Sequence, residues 1–353
     1  MHIPDGYLSP STCGVLYVGA ATGWYAALKR LRQALLSRVI PLISVFAAFS
    51  FVVMMFNLPL PGGTTGHALG VTIAAIVLGP SGAILALSIA IAIQALFFGD
   101  GGITTLGANC FNMAIVASLV AYASYRLIAA GAALASRRRV IAAAIAGYLA
   151  INVAALFAAV EFGIQPMLFH DASGTPLYAP YPLSIAVPAM MIGHLTFAGL
   201  AEAVISAGLV AYLQVADPGL LRPTSGLPSD ATAEPATVPA LPRLWIAIAV
   251  LMLLTPLGIL AAGTAWGEWS PAQLARAASS ASTASSPASA VPVGLQRLAK
   301  FWTAPFPAYA PTFVHSRGFG YLLSAMFGVG ILLTVSLAAR SWAARHRRKE
   351  SSA

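Results

Sequence analysis

Residues 68–82 read Ala68-Leu69-Gly70-Val71-Thr72-Ile73-Ala74-Ala75-Ile76-Val77-Leu78-Gly79-Pro80-Ser81-Gly82, and a second apolar run follows to Phe98. Gly79-Pro80-Ser81-Gly82 is a turn signal. Whether it parts two membrane segments or kinks one decides on which side of a bilayer everything downstream lies. That a bilayer is involved follows from composition: 59% of the 353 residues are hydrophobic and 8% are charged, with a mean hydropathy of +0.83. Soluble domains carry about 25% charged residues.

A spanning helix needs about 20 mostly apolar residues. Outward from the Gly79 turn, the runs are Cys13 to Leu28, Val39 to Phe56, Ala68 to Leu78, Ser81 to Phe98, Leu106 to Ala130, Val140 to Phe162, Ser184 to Leu213, Leu244 to Ala262 and Phe319 to Ala339. The expected fold is therefore all-α, a polytopic transmembrane helical bundle of nine spans. The third run is short, and is open to being a span that starts in the preceding loop or half of a re-entrant pair.

Basic residues test that count, because they collect on the cytoplasmic side. With the N-terminus outside, the inner segments hold Lys29, Arg30, Arg32 and Arg38, then Arg126 and Arg137 to Arg139, then Arg222 and Arg243. The inner tail adds Arg340, Arg345, Arg347, Arg348 and Lys349, leaving Arg276, Arg297, Lys300 and Arg317 outside. Merging the third and fourth runs would invert the rest and place the Arg137 to Arg139 cluster outside. The expected location is the inner (cell) membrane, N-terminus extracytoplasmic and C-terminus cytoplasmic. The net charge of +9 does not imply nucleic acid, since the basic residues flank apolar runs rather than forming one solvated face.

The organisation is a seven-span module over residues 1–213, a Pro-rich cytoplasmic linker over 214–243 and a two-span hairpin module over 244–353. The hairpin's outer loop, Gly263 to Gly318, contains a Ser/Ala tract at Ala277 to Ala290 expected to be disordered. Cys13 and Cys110 have neither CxxC nor zinc spacing and read as packing residues.

The N-terminus lacks the basic region and uninterrupted apolar core of a signal peptide, so the mature chain is expected to begin at Met1; His2 is too large to favour Met1 removal. A free amine, the His2 amide nitrogen and the His2 imidazole can wrap a divalent ion in fused chelate rings. One further nitrogen completes a square plane, which suits Cu(II) and Ni(II). The N-out topology puts the loop Pro59 to His67 on the same face as His2, making His67 the candidate fourth ligand. The plainer reading is that His67 caps the next helix with its side chain in water. Glycines in that loop allow close approach of another chain segment.

Asn109 is open to two readings: an outer-shell role, orienting a ligand or bracing an inserted N-terminal segment through its amide, or a locally satisfied helix start with Asp100 as a solvated cap. Glu202 and His194 lie inside the seventh span, where ionisable groups mark function by default; a structural pair bonded to neighbouring helices is the alternative. Glu161 reads as interfacial. His170 and His315 read as solvated loop residues, and the small-residue stripe Gly19, Gly23, Ala27 as either a partner surface or internal packing.

Three stretches in order, Met1-His2-Ile3-Pro4-Asp5-Gly6-Tyr7-Leu8-Ser9, Gly62-Gly63-Thr64-Thr65-Gly66-His67 and Thr104-Thr105-Leu106-Gly107-Ala108-Asn109, resemble the metal-specific S component of nickel/cobalt energy-coupling-factor transporters, the CbiM/NikM family. The resemblance covers the seven-span module. It implies metal ligands at Met1, His2 and His67, with Gly63, Gly66 and Asn109 as loop or outer-shell support. Leu254-Thr255-Pro256-Leu257-Gly258 and Gly263-Thr264-Ala265-Trp266-Gly267-Glu268-Trp269 are similar to the family's small two-span N subunit, fused here as in the nickel-type arrangement.

The resemblance implies a non-enzyme: a membrane subunit capturing Ni(II) or Co(II), with no cofactor. The sequence has no GxxxxGK[ST] phosphate loop, so ATP hydrolysis is expected in separate ATPase subunits, joined by a transmembrane coupling (T) subunit. An all-nitrogen site should reject Mg(II) and Ca(II), while copper binds at least as well as nickel by the Irving–Williams order. Proton release on binding predicts weaker affinity at low pH. The rival is a proton-coupled secondary metal transporter in which Glu202 carries the driving proton. A metalloenzyme is disfavoured by the absence of HExxH. A two-span module serving only assembly is a further alternative, which deletion beyond Gln214 would test.

Overall fold

The computed structural model describes residues 1–31, 39–60, 64–226, 241–259, 272, 291–311 and 313–350. Among the described residues the regular structure is helical apart from one small hairpin. In chain order the first module contains α1 (Pro10–Leu31), α2 (Val39–Met54), β1 (Leu58–Leu60), β2 (Thr64–Gly66), and α3 (Val71–Ile93) continuing into a π segment Gln94–Phe98. Next comes α4 (Leu106–Asn109), passing through the π segment Cys110–Val116 into α5 (Ala117–Ile128), then α6 (Arg137–Gly163) and α7 (Gln165–Leu168). The module closes with α8 (Leu183–Gly193), a π segment His194–Ala198 and α9 (Gly199–Ala216). The second module contributes α10 (Leu241–Leu254), α11 (Val293–Leu298) and α12 (Arg317–Glu350).

Among the described residues, six helical stretches are long and apolar enough to cross a membrane: Val71–Phe98, Leu106–Ile128, Arg137–Leu168, Leu183–Ala216, Pro242–Ile259 and Arg317–Ala339. The apolar α2 is shorter, and α1, although 22 residues long, carries Thr12, Tyr17, Thr22 and Trp24 along its length. Among the described residues, nine stretches of that length are thus not found. The third and fourth apolar runs fall within one 28-residue stretch, Val71–Phe98.

That stretch is not straight. A straight helix of that length would hold its ends about 40 Å apart, yet its two flanking residues, His67 and Asp100, both touch His2. The His2 and His67 ring centroids are 4.9 Å apart, and Asp100 Oδ1 lies 3.0 Å from His2 Nδ1. The chain therefore doubles back, and it does so at Gly79, whose φ of 72° and ψ of 170° break the helix. Only glycine adopts such a conformation without strain, and Pro80 suits the start of the returning arm. Residues 71–78 extend only about 12 Å, so this arm is the shorter of the two.

Glu202 on α9 holds the descending arm in place. Its carboxylate accepts hydrogen bonds from the amides of Leu69 (2.8 Å), Gly70 (2.8 Å) and Thr72 (3.3 Å), the unpaired donors where α3 begins. A carboxylate at a helix N-terminus is electrostatically favourable. At the turned end, the Thr224 hydroxyl donates to the Ile76 carbonyl, while Arg126 donates to Thr224 O at 3.2 Å. The fully buried Arg139 ties Ala132 O, Ser225 O and the Tyr125 hydroxyl together. The interval expected as an extended linker is consequently folded at its start: Gln214 lies within α9, and Pro218–Leu221 form a 3-10 turn. Residues 227–240 and the Ser/Ala tract Ala277 to Ala290 lie outside the described residues.

The stripe on α1 faces inward. A Cβ on Gly23 would meet Ile115 at 2.4 Å, one on Gly19 would press on the Phe111 ring at 3.1 Å, and Ala27 is buried. Cys13 and Cys110 are buried free thiols. Glu161 is not interfacial: it is buried and accepts from Asn112 Nδ2 at 2.8 Å.

The Glu202 anchor yields a prediction. Glu202→Gln sets an amide NH2 against main-chain N–H donors in either orientation, so stability should fall by about 1–3 kcal/mol, read as a lower unfolding midpoint in detergent. An unchanged midpoint would contradict the anchoring role.

Candidate metal centre

The first nine residues form a non-helical segment inserted into the protein, with a turn at Pro4 to Tyr7. Met1, His2, Ile3, Tyr7, Leu8 and Ser9 are all buried, so their main-chain polar groups need partners. Asn109 clamps Ile3 from both sides, its Oδ1 accepting the Ile3 N–H at 2.8 Å and its Nδ2 donating to Ile3 O at 3.0 Å. The same carbonyl accepts from Gly102 N and the Thr105 hydroxyl. Asp5 in turn accepts the amides of Ile103 (3.1 Å) and Thr104 (2.7 Å). Further along, Ser9 N donates to Gln165 Oε1, and Tyr7 O accepts from Ala179 N.

This insertion explains two glycines. A Cβ on Gly102 would fall 2.4 Å from Asp5 N, and Gly101, at φ 83°, would press on Asn109 Nδ2 at 2.8 Å. Of the two readings of Asn109, the geometry selects the brace.

His2 is delivered against His67, their rings stacked with 22° between planes. His67 is not in water: only 2% of it is exposed, and its Nδ1 lies 3.1 Å from Ala68 O. With Nδ1 tied to a carbonyl as donor, the lone pair sits on Nε2, the arrangement of metal-binding histidines. Burial, and next the positive terminal amine of Met1, hold His67 well below its ordinary pKa, so the ring is neutral at neutral pH. His67 Nε2 and both ring nitrogens of His2 are buried without a hydrogen-bond partner, His2 Nδ1 having only the Asp100 carboxylate beside it. Buried polar atoms left in this state call for an explanation, and a bound cation supplies one.

Among the described residues, no three His, Cys, Asp or Glu side chains come together as a metal-binding group. Beside His2 and His67, the terminal amine of the buried Met1 and the His2 amide are further nitrogens close by in the chain. The hairpin residue Gly66, paired with Leu58, sets His67 at the end of β2. Gly63 lies outside the described residues.

Asp100 is no solvated cap. Its side chain is 12% exposed, with Oδ1 at His2 Nδ1 and Oδ2 accepting the Tyr309 hydroxyl at 2.6 Å. Burial alone would raise its pKa, but the neighbouring His2 ring and the Tyr309 hydroxyl outweigh it and hold the carboxyl below the ordinary range. Tyr309 belongs to the second module, which docks on the π segment Gln94–Phe98. There Trp302 Nε1 takes Leu96 O and Phe306 N takes Phe97 O, each at 2.9 Å. Such carbonyls go unpaired where a helix ends.

His194 and Glu202 are both fully buried but bonded separately, His194 Nδ1 to Met190 O at 2.8 Å and Glu202 to the start of α3. His170 and His315 are exposed.

A family model described as cobalt uptake substrate-specific transmembrane region (CbiM) matches residues 2–220, and one described as the PDGLE domain matches 242–345. The chain is 54% identical over 338 residues to the fused nickel transport protein NikMN of Rhodobacter capsulatus, spanning 94% of this chain and 95% of that one. It is 44% identical over 277 residues to the probable fused nickel transport protein LarMN of Lactiplantibacillus plantarum, spanning 78% and 79% respectively. The crystal structure of a truncated transition metal transporter shares 50% sequence identity and a TM-score of 0.58, covering 60% of this chain and 98% of that chain.

The clamp on Ile3 predicts that Asn109→Ala, which strands a buried N–H, lowers stability by about 1–3 kcal/mol and speeds hydrogen exchange at the Ile3 amide. Wild-type exchange there would contradict the clamp.

Proposed function

Because the chain belongs to the cobalt uptake substrate-specific transmembrane family, we propose that it captures Ni(II) or Co(II) for uptake through a four-nitrogen site. The ligands are the Met1 amine, the His2 amide and imidazole nitrogens, and His67 Nε2. One observation carries this reading: two stacked imidazoles beside a buried N-terminus, with no hydrogen-bond partner at either ring nitrogen of His2 or at His67 Nε2. Imidazole and amide nitrogen suit late transition metals, while Mg(II) and Ca(II) prefer oxygen. The fused nickel transport relatives favour nickel as the cargo.

Capture takes place from outside the cell membrane, in keeping with the placement of basic residues that puts the N-terminus extracytoplasmic and the C-terminus inside. Energy comes from separate ATPase subunits joined through a transmembrane coupling subunit, in the energy-coupling-factor manner, since this sequence carries no phosphate-binding loop of its own. The rival role for Glu202, as a carrier of the driving proton, has less support. Three main-chain amides already occupy its carboxylate.

The test is a Ni(II) titration of the purified full chain, of a variant with Ala inserted between Met1 and His2, and of His67→Ala. The insertion breaks the fused chelate and His67→Ala removes the fourth nitrogen, so each should abolish tight binding and the yellow colour of a planar nickel site. Binding at wild-type strength in both variants would show that the metal is held elsewhere.

A further inference from the structure

One hydrogen-bond chain between the two modules has a fixed order of donors and acceptors. Gln94 Nε2 lies 3.0 Å from the Tyr309 hydroxyl, and having no lone pair it must be the donor. The hydroxyl's own proton is therefore directed to Asp100 Oδ2 at 2.6 Å, and Asp100 Oδ1 faces His2 Nδ1 at 3.0 Å. Each carboxylate oxygen thus has one assigned neighbour, one from each module.

Tyr309 itself has little freedom. Its ring stacks on Phe98 with centroids 4.8 Å apart and meets Tyr321 edge-on at 5.2 Å. Ser324 Oγ donates to its carbonyl at 3.0 Å. Both Ala308 (φ 52°) and Tyr309 (φ 57°) lie in the left-handed region, which non-glycine residues occupy only where surrounding contacts enforce it. The contacts of the second module hold this hydroxyl in place.

We propose that Tyr309 is a positioning residue of the metal centre: it fixes the Asp100 carboxylate, and Asp100 braces the His2 imidazole for metal binding. The inference rests on the N-terminal chelate proposed above. A histidine that binds metal through one ring nitrogen almost always donates its other N–H to a carboxylate, carbonyl or water, and the carboxylate sets ring orientation and basicity. The small chelate ring that includes the His2 amide closes through Nδ1. Metal at Nδ1 therefore requires the imidazole to turn about Cβ–Cγ, which moves Nε2 to the place Cε1 now holds, on the Asp100 side of the ring where its N–H can be taken by the carboxylate. The centre is then incomplete without the second module, whose part in binding is to hold one carboxylate rather than to supply a ligand.

The test uses the full chain in detergent and reads Ni(II) affinity and the ligand-field band of the nickel complex for wild type, Tyr309→Phe, Asp100→Asn and the double variant, with thermal unfolding of each metal-free protein alongside. Loss of an outer-shell partner costs a metal site about ten-fold or more in affinity. Tyr309→Phe should lose about ten-fold and shift the band, and the double variant should bind no worse than Asp100→Asn. Wild-type affinity in Tyr309→Phe, or losses that multiply in the double variant, would overturn the proposal. Should Tyr309→Phe fail to fold, Asp100→Asn decides: wild-type affinity and an unshifted band there overturn it equally. The Ala insertion between Met1 and His2 is titrated beside them. Binding that survives the insertion removes the N-terminal site itself, whereas binding lost on insertion but untouched by Tyr309→Phe removes only the role of Tyr309.

Discussion

A main chain carried into the interior of a membrane protein must find a partner for every N–H and C=O. Here the carried chain is the N-terminus. Its solution is the pair of loops around Asn109 and Asp5: Ile3 is held by a side-chain amide at both its polar groups, and Asp5 closes on the amides of Ile103 and Thr104. Without these bonds His2 has no reason to be buried. The glycines at 101 and 102 leave room for this contact, since a side chain at 102 would overlap Asp5.

The second requirement is that residues thirty-three positions apart, His67 and Asp100, arrive at one imidazole. The reversal at Gly79 brings them there, and Glu202 fixes the near end by occupying the open amides at the start of α3. The far end is closed by Thr224 and the buried Arg139. The π segments Gln94–Phe98 and Cys110–Val116 lie on the two sides of the loop that receives the N-terminus, an irregularity common near functional sites.

Much of this was legible in the sequence because it depends on short-range signals. Apolar runs mark the helices, Gly79-Pro80 marks the turn, and basic residues place His2 and His67 on one face. The span count was less legible, since run length alone does not show how far the short arm of residues 71–78 reaches before the chain reverses at Gly79. Asp100 read as a solvated cap because nothing near it in sequence reveals Tyr309, 209 residues away. Glu202 could be recognised as unusual but not assigned, as its partners are main-chain amides with no residue-type signature. Glu161 was misread for a related reason: its partner Asn112 lies on another helix.

The claim on which the account turns is that the metal is held by nitrogen alone, two of the four atoms coming from the main chain at the N-terminus. X-ray absorption on the full chain loaded with Ni(II) tests it most directly. A four-coordinate, planar, all-nitrogen shell with an imidazole scattering signature is predicted. A six-coordinate shell rich in oxygen would contradict it and place the ion away from Met1 and His2.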